Sequence, residues 1–390
     1  MPYTVYLKKN EERRLLAGHS WVYANEAARI EGKDKNGSLA TVRALDGRFI
    51  GKGYINHASK ILVRLFIRDE REDGKELYTE RLAACAAYRR ALGKNYEGCC
   101  RLAFSEADGL PGLIVDRYAD VLVMQCLTLG IHQRKRMIAE CLCDLFSPRG
   151  IYERSDVSVR AKEGLPEETG VLYGEVPDEI IAEENGLRVS VDVKRGQKTG
   201  YFLDQKENRF AVRRYCAGAD VLDCFCNSGG FSLNAAATAK SVTALDISPL
   251  ALENVRRNCE LNGIRNVSTE CADVFEALRS YRKEGRTFGT VILDPPAFCK
   301  SADQVQDAYR GYKDINISAM KLTAPGGFLV TCSCSHHMGT QLFEKMLAEA
   351  SLQSGRRARI AEVKSQAPDH PALMGEEETR YLKFYVLQIL

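Results

Sequence analysis

No run in this sequence approaches the roughly 18 consecutive apolar residues that a membrane-spanning helix requires. Its first residues, MPYTVYLKKNEERR, lack a signal-peptide pattern and turn charged within ten positions, so a cytoplasmic protein is expected. Cysteine is plentiful at 14, yet no CxxC occurs and no second pair stands at zinc-finger spacing. That argues against structural zinc and, in a reducing compartment, against a disulfide framework. No metal is expected. The G-x-G-x-x-G fingerprint of dinucleotide binding is also missing, as is any internal repeat or low-complexity segment.

What is present is the composition of a globular protein, with 45% apolar and 27% charged residues. At 390 residues the chain exceeds one ordinary core, which predicts two or three domains. Residues 1–70 hold 13 Lys+Arg against 8 Asp+Glu, while the other 320 hold 42 against 44. A small basic module beside a near-neutral body suggests a polyanionic partner, though a solvated charged surface reads equally well.

The periodicity changes twice along the chain. TVYLKK, SLATVRA, FIGKGYIN and KILVRLFIR read as short strands of a small β-barrel, interrupted by a helix or turn around Glu11–Ala17. KELYTERLAACAAYRRALG has helical spacing and leads into an α+β region. There RLAFSE, GLIVDRY and VLVMQCL read as strands and IHQRKRMIAECLCDLF as a helix, with further short strands to about Val193. From about Gly218 five strand–helix steps follow in strict alternation, from DVLDCF to GFLVTCS, and ARIAEVK and YLKFYVLQIL add edge strands. Ser248 and Pro249 mark one helix start. The predicted architecture is α/β: a doubly wound, largely parallel sheet, preceded by a β-barrel over 1–72 and an α+β domain over 73–193, and itself filling 194–390.

In such sheets ligands bind at the carboxyl ends of the strands. The successive strands deliver Asp223, Asp246, Asp273 and Asp294 there, and the last ends in Thr331-Cys332-Ser333-Cys334-Ser335. The loop Asn227-Ser228-Gly229-Gly230 is small enough for a ligand to approach its backbone. Asp246 can accept both hydroxyls of a ribose, and Asp273 can accept from an adenine amino group. With few phosphate-cradling glycines, a nucleoside without a pyrophosphate fits better than NAD. Any one Asp after a strand is often only a helix cap or turn former, but four at successive exits point to a pocket. Two prolines after Asp294 fix a rigid exit that can wall off a planar base.

LDCFCNSGGFS, TALDISPLALENVRRN, LDPPAF, RGYKDIN and TCSCS together resemble the class I S-adenosylmethionine-dependent methyltransferases. More narrowly they resemble the RlmI-type group, which forms 5-methylcytosine in large-subunit ribosomal RNA. The resemblance implies that the barrel is an RNA-binding PUA domain, and that KTGYFLDQKENR is the group's extra cofactor-contacting segment. Carried over by position, it places S-adenosylmethionine against Tyr201, Phe202, Asp204, Gln205, Asp223, Asn227, Ser228, Gly229, Asp246, Ile247, Asp273, Val274 and Asp294. The residues alone imply a nucleoside pocket; the methyl group comes from the resemblance.

Forming 5-methylcytosine needs a thiolate that adds to C6 and makes C5 nucleophilic. The resemblance gives that role to Cys334, with Asp294 near N3 and the 4-amino group. Cys332 falls where the group tolerates an apolar residue. Strand geometry alone does not choose between the two, because residues two apart share a face. Some other RNA cytosine methyltransferases carry a second cysteine just after the strand-four Asp-x-Pro; here Ala297 stands there, with Cys299 two places on. Cys224 and Cys226 read as packing, and His336 and His337 as solvated. Lys8, Lys9, Arg13 and Arg14 are the phosphate-contact candidates. The expected partner is RNA, ribosomal RNA in particular, with a homodimer left open and no membrane. The competing readings are methyl transfer to a guanine or adenine nitrogen, which needs no cysteine, and an inactive RNA-binding scaffold.

Overall fold

The strand-like runs of the first 70 residues form one six-stranded sheet in the computed structural model, which describes residues 1–299 and 301–390. Its strands are β1 (Tyr3–Leu7), β2 (Trp21–Tyr23), β3 (Ala27–Glu31), β4 (Leu39–Arg43), β5 (Phe49–Ile55) and β6 (Ile61–Ile67). They run in the order β2-β6-β5-β4-β1-β3, with β1 and β4 parallel and the other neighbours antiparallel. Periodicity misses β2 and β3: β2 has three residues, and β3 exposes four of its five, so neither alternates visibly. Helix α1 (Glu12–Leu16) is the interruption expected around Glu11–Ala17. Val5, Leu7, Val22, Val42, Ile55 and Val63 close the core of this sheet.

Helices α2 (Lys75–Ala91) and α3 (Leu129–Phe146) accompany a five-stranded sheet of β7 (Cys99–Phe104), β8 (Leu113–Tyr118), β9 (Val121–Cys126), β10 (Gly150–Ser155) and β11 (Glu168–Gly174). Leu77, Tyr78 and Leu82 of α2 and Ile138 and Leu142 of α3 pack on Val115, Leu122 and Met124, and Tyr54, Phe66 and Ile67 of the first sheet join this core. The first compact unit accordingly spans both sheets: Met1–Glu183, Val191–Leu203 and Pro368–Thr379. Its buried charges are paired, as in the two-pronged Arg89–Asp108 bridge at 2.7 Å per hydrogen bond. The chain passes to the second unit through a two-stranded sheet of β12 (Ile180–Glu184) and β13 (Leu187–Val191).

The second unit comprises Glu184–Ser190, Asp204–Ala367 and Arg380–Leu390. Its seven strands are β14 (Asp220–Cys224), β15 (Ser241–Asp246), β16 (Val267–Cys271), β17 (Phe288–Leu293), β18 (Thr323–Ser333), β19 (Ala358–Lys364) and β20 (Lys383–Ile389). They run in the order β16-β15-β14-β17-β18-β20-β19, with the first five parallel and β20 antiparallel to both neighbours, so ARIAEVK is the edge strand expected of it while YLKFYVLQIL inserts beside β18 and is not an edge. Between them run α4 (Lys206–Val212), α5 (Gly230–Ala236), α6 (Pro249–Asn262), α7 (Val274–Lys283), α8 (Val305–Leu322) and α9 (Thr340–Ser354). Both sheet faces are covered, which is why the central strands read as unbroken apolar runs. Val221, Ile292, Val330 and Val386 face Val212 and Phe231 on one side. Leu222, Val291, Leu329 and Tyr385 face Leu278, Tyr312, Ile315 and Phe343 on the other. The strand order reverses between β14 and β17, so the crevice of a doubly wound sheet opens at the exits of those two strands. Among the described residues, no helix is long and apolar enough to cross a membrane.

Candidate active site

After β14 the chain turns through three left-handed residues in alternation, Phe225 (φ 61°), Asn227 (φ 48°) and Gly229 (φ 83°). Two of them are not glycine, a conformation rare enough to need local support. Asp246, at the end of β15, provides part of it by accepting from the Asn227 backbone N–H at 2.9 Å. The Asn227 side chain accepts from Ser228 N–H at 2.7 Å, and Asn258 on α6 donates to the Ser228 carbonyl at 2.9 Å. At Gly229 a Cβ would lie 3.0 Å from Val255 of α6, so the loop packs against that helix only with glycine there.

Each predicted carboxylate has a distinct environment. Asp246 also accepts from Ser248 N–H at 2.9 Å, so one side chain joins the loop after β14 to its own. Ile247 beside it is 66% exposed, an apolar side chain open to solvent at the exit of β15. Asp273 caps α7 by accepting from Glu276 N–H at 3.1 Å, the helix-capping role its position also allowed. The Val274 side chain is buried in the core, so that position presents only backbone to a ligand. Asp294, leaving β17, accepts from Gln205 Nε2 at 2.9 Å, and Asn208 orients the Gln205 amide by donating to its oxygen at 2.6 Å. Asp204 accepts from the Tyr381 hydroxyl at 2.6 Å.

Asp223 is fully buried; one of its oxygens accepts from Ser232 Oγ at 2.6 Å and the other has no hydrogen-bond partner. Burial pushes its carboxyl up to about 7, and the negative charges of Asp294 and Asp246 push the same way. The charges of Asp223, Asp246 and Asp294 thus act on one another at the switch point. S-adenosylmethionine carries a sulfonium and an ammonium, so the donor set fits this group on charge as well as on topology.

The two cysteines at the end of β18 separate by burial. Cys332 is fully buried in the sheet core, and burial, with Asp294 next, raises its thiol well above the usual range. Cys334 lies one residue beyond the strand and is partly exposed. Ending the strand at Ser333 breaks the two-residue equivalence that leaves them alike in the sequence. Leu293 pairs with Thr331, so Asp294 and these cysteines leave adjacent parallel strands at the same edge. Tyr312 of α8 was not legible as a site residue: its hydroxyl accepts from Ser333 Oγ at 3.1 Å and lies 3.0 Å from Ser335 Oγ. Lys383, the first residue of β20, was missed as well; its Nζ donates to the carbonyls of Ser335 and Tyr381, each at 2.7 Å. Cys299 is buried, with its N–H on Ser335 Oγ at 3.3 Å, while His336 and His337 are exposed. Cys224 and Cys226 are buried in the core, as expected.

Tyr201 and Phe202 belong to the first unit. There the Tyr201 carbonyl accepts from the Tyr118 hydroxyl at 3.1 Å, and Lys198 lies 4.5 Å from the Phe202 ring centroid. Lys8, Lys9 and Arg13 are exposed, whereas Arg14 is engaged by Glu26 at 2.7 Å, the Trp21 carbonyl and His19. His132, Glu153 and Glu168 lie close enough together to hold one ion, but Lys135 already bridges both carboxylates.

Residues 166–374 match the model of the S-adenosylmethionine-dependent methyltransferase family, and residues 5–68 that of the PUA-like domain. Curated relatives named "Ribosomal RNA large subunit methyltransferase I" include one from Shewanella amazonensis, 44% identical over 100% of both chains. Another, from Aeromonas salmonicida, is 43% identical over 98% of each. Among solved structures, a protein from Streptococcus mutans assigned as a SAM-dependent methyltransferase aligns over 100% of both chains with a TM-score of 0.84 at 19% identity. Trm5b from Pyrococcus abyssi shares the fold more distantly, with a TM-score of 0.52 at 17% identity over 69% of this chain and 73% of its own. The strand order and these matches agree: the chain belongs to the S-adenosylmethionine-dependent methyltransferases, in the group with the large-subunit ribosomal RNA methyltransferase I proteins, and its cofactor is S-adenosylmethionine.

Proposed function

We propose that this protein methylates C5 of a cytosine in large-subunit ribosomal RNA, with Cys334 as the nucleophile. The observation that carries the reading is the contrast at the end of β18, where Cys332 is sealed and Cys334 is accessible beside the exit of β17. The substrate class comes from the names of the curated relatives and from the PUA-like domain. Residues 1–72 serve as the RNA-binding module, with Lys8, Lys9 and Arg13 meeting phosphate, 73–193 as a central α+β part, and 194–390 as the catalytic part.

S-adenosylmethionine supplies an electrophilic methyl group on a positively charged sulfur. The exits of β14, β15 and β17 would hold it, with Asp246 on the ribose, Ile247 beside the base, the loop Asn227–Gly229 offering backbone, and Asp223 and Asp294 supplying negative charge to offset its positive one. The Cys334 thiolate bonds to C6 of the cytosine, moving the C5–C6 π electrons onto C5. C5 then bonds to the methyl carbon as the methyl–sulfur bond breaks, its electron pair staying on sulfur so that S-adenosylhomocysteine leaves. The C5 proton leaves to a base, the electrons of that C–H bond restore the double bond, and the C6–S bond breaks to release the thiolate. Asp294, whose carboxylate accepts from Gln205, is the group assigned to the 4-amino edge of the base.

Methylation of a ring nitrogen is less well supported. Phe298, which would stack on such a base, instead packs against Tyr312 with ring centroids 4.7 Å apart, and against Phe225 and Phe275. Comparing Cys334→Ala with Cys332→Ala tests the reading. Methyl transfer to ribosomal RNA should fall by roughly 10³-fold or more in the first and little in the second. Full activity in Cys334→Ala would move the reaction to nitrogen, and no S-adenosylmethionine binding by calorimetry would leave an inactive scaffold.

A further inference from the structure

The turn that presents Cys334 is fixed on both sides. Ser333 and Ser335 share the Tyr312 hydroxyl, Ser335 Oγ also accepts from Cys299 N–H, and the Ser335 carbonyl accepts from Lys383 Nζ. Lys383 faces Ser333 across the antiparallel pairing of β20 with β18. Its ammonium is therefore held on the carbonyl of the residue next to Cys334. The side chain is buried, and among the described residues no carboxylate lies within ion-pairing distance of Nζ. A buried ammonium without a counter-charge is a costly arrangement unless an anion forms beside it.

The titratable groups around this turn are Tyr312 on α8, Asp294 at the exit of β17, Cys334 and His336 beyond β18, and Tyr381 with Asp204 on its hydroxyl. Asp294 acts against a nearby thiolate, since its charge raises the thiol of Cys332. Burial brings the Lys383 ammonium down to about 8, and Cys334 is the group that pushes it back up. At neutral pH the ammonium is protonated, so it is positioned to offset Asp294.

We propose that Lys383 is a positioning residue for Cys334: it clamps the turn that presents the thiol and supplies the positive charge that stabilises its thiolate. This rests on the reading of Cys334 as the nucleophile, but its test does not require catalysis. In the full-length protein the rate of Cys334 alkylation by iodoacetamide is followed against pH by mass spectrometry, with fragment ions separating it from Cys332. Lys383→Met should move the midpoint up by about one pH unit, and Lys383→Arg, which keeps the charge, should return most of that shift. Methyl transfer near pH 7 should fall about tenfold in Lys383→Met, the thiolate fraction lost with such a shift, with unchanged KM for S-adenosylmethionine. An unchanged alkylation midpoint in folded Lys383→Met overturns the inference, even where Cys334→Ala is inactive. Should Lys383→Met not fold, Lys383→Gln, which keeps a donor without the charge, decides by the same midpoint. Full methyl transfer by Cys334→Ala strikes the proposed reaction instead, and leaves the alkylation profile to judge Lys383 separately.

Discussion

The two halves of the pocket edge are built by different means. At the exits of β14, β15 and β16 the candidate groups are carboxylates and backbone, supplied by residues close together in sequence and held by one another. Asp246 alone ties two loops together by accepting from the backbone N–H groups of Asn227 and Ser248. At the exits of β17 and β18 the turn carrying the thiol is set by side chains from α8 and β20, and Asp294 by one from the segment before α4. The first half is a local construction that a ligand completes. The second is a buried polar network assembled from distant parts of the chain, where each member depends on the others.

If that contrast is right, the largest effect on the cofactor half comes from Asp246. Asp246→Ala removes the acceptor for two backbone N–H groups as well as the proposed ribose contact. Hydrogen bonds to a charged group contribute about 1.5–3 kcal/mol each. Affinity for S-adenosylhomocysteine, measured by calorimetry, should therefore fall by roughly 100-fold, while Cys334 alkylation keeps its pH profile. Loss of Cys334 reactivity in the same variant would show the two halves to be one unit.

The opposite perturbation is Tyr312→Phe, which leaves the cofactor half intact and strips a hydroxyl shared by Ser333 and Ser335. An unpaired buried polar group costs about 1–3 kcal/mol. The melting temperature should drop by about 4 °C, given roughly 2–4 °C per kcal/mol for a unit of this size. S-adenosylhomocysteine affinity should not change. Equal loss of affinity would mean that Tyr312 supports both halves.

The same contrast explains what the sequence discloses. The strand–helix alternation after Gly218 places the strands of the second sheet, because the central ones are apolar on both faces and bounded by turn residues; β16 and β19 at the edges are partly exposed and follow from their place in the alternation. The four aspartates are legible for a related reason: a carboxylate at a strand exit is a position in the sequence pattern. Lys383 and Tyr312 are not legible, because one opens an apolar strand and the other lies within an amphipathic helix. Only the folded sheet brings both to Ser333 and Ser335. The Cys332–Cys334 ambiguity has the same root, since it turns on where β18 ends and not on composition. In the first unit, β2 and β3 escape because they are too short or too exposed to alternate.

The smallest expected effect concerns Asp223 and carries a sign that separates stability from binding. Burial raises its carboxyl to about 7 in the folded protein, against 3.8 for the unperturbed group. The folded state therefore holds this proton to higher pH than the unfolded chain does. The stability so gained is complete below 3.8 and is lost as pH rises through 7. A folded protein without ligand should lose about 1–2 kcal/mol from this group between pH 5 and 8, a discounted share of the shift. Asp223→Asn keeps an acceptor for Ser232 and cannot ionise. Its melting temperature should exceed that of the parent at pH 8, fall level with it or below at pH 5, and come with weaker S-adenosylmethionine binding. Parallel melting profiles for the two proteins across that range would mean that Asp223 is not strained by its neighbours. The carboxylates at the switch point would then be an ordinary set of turn and cap residues, and not a site waiting for a cation.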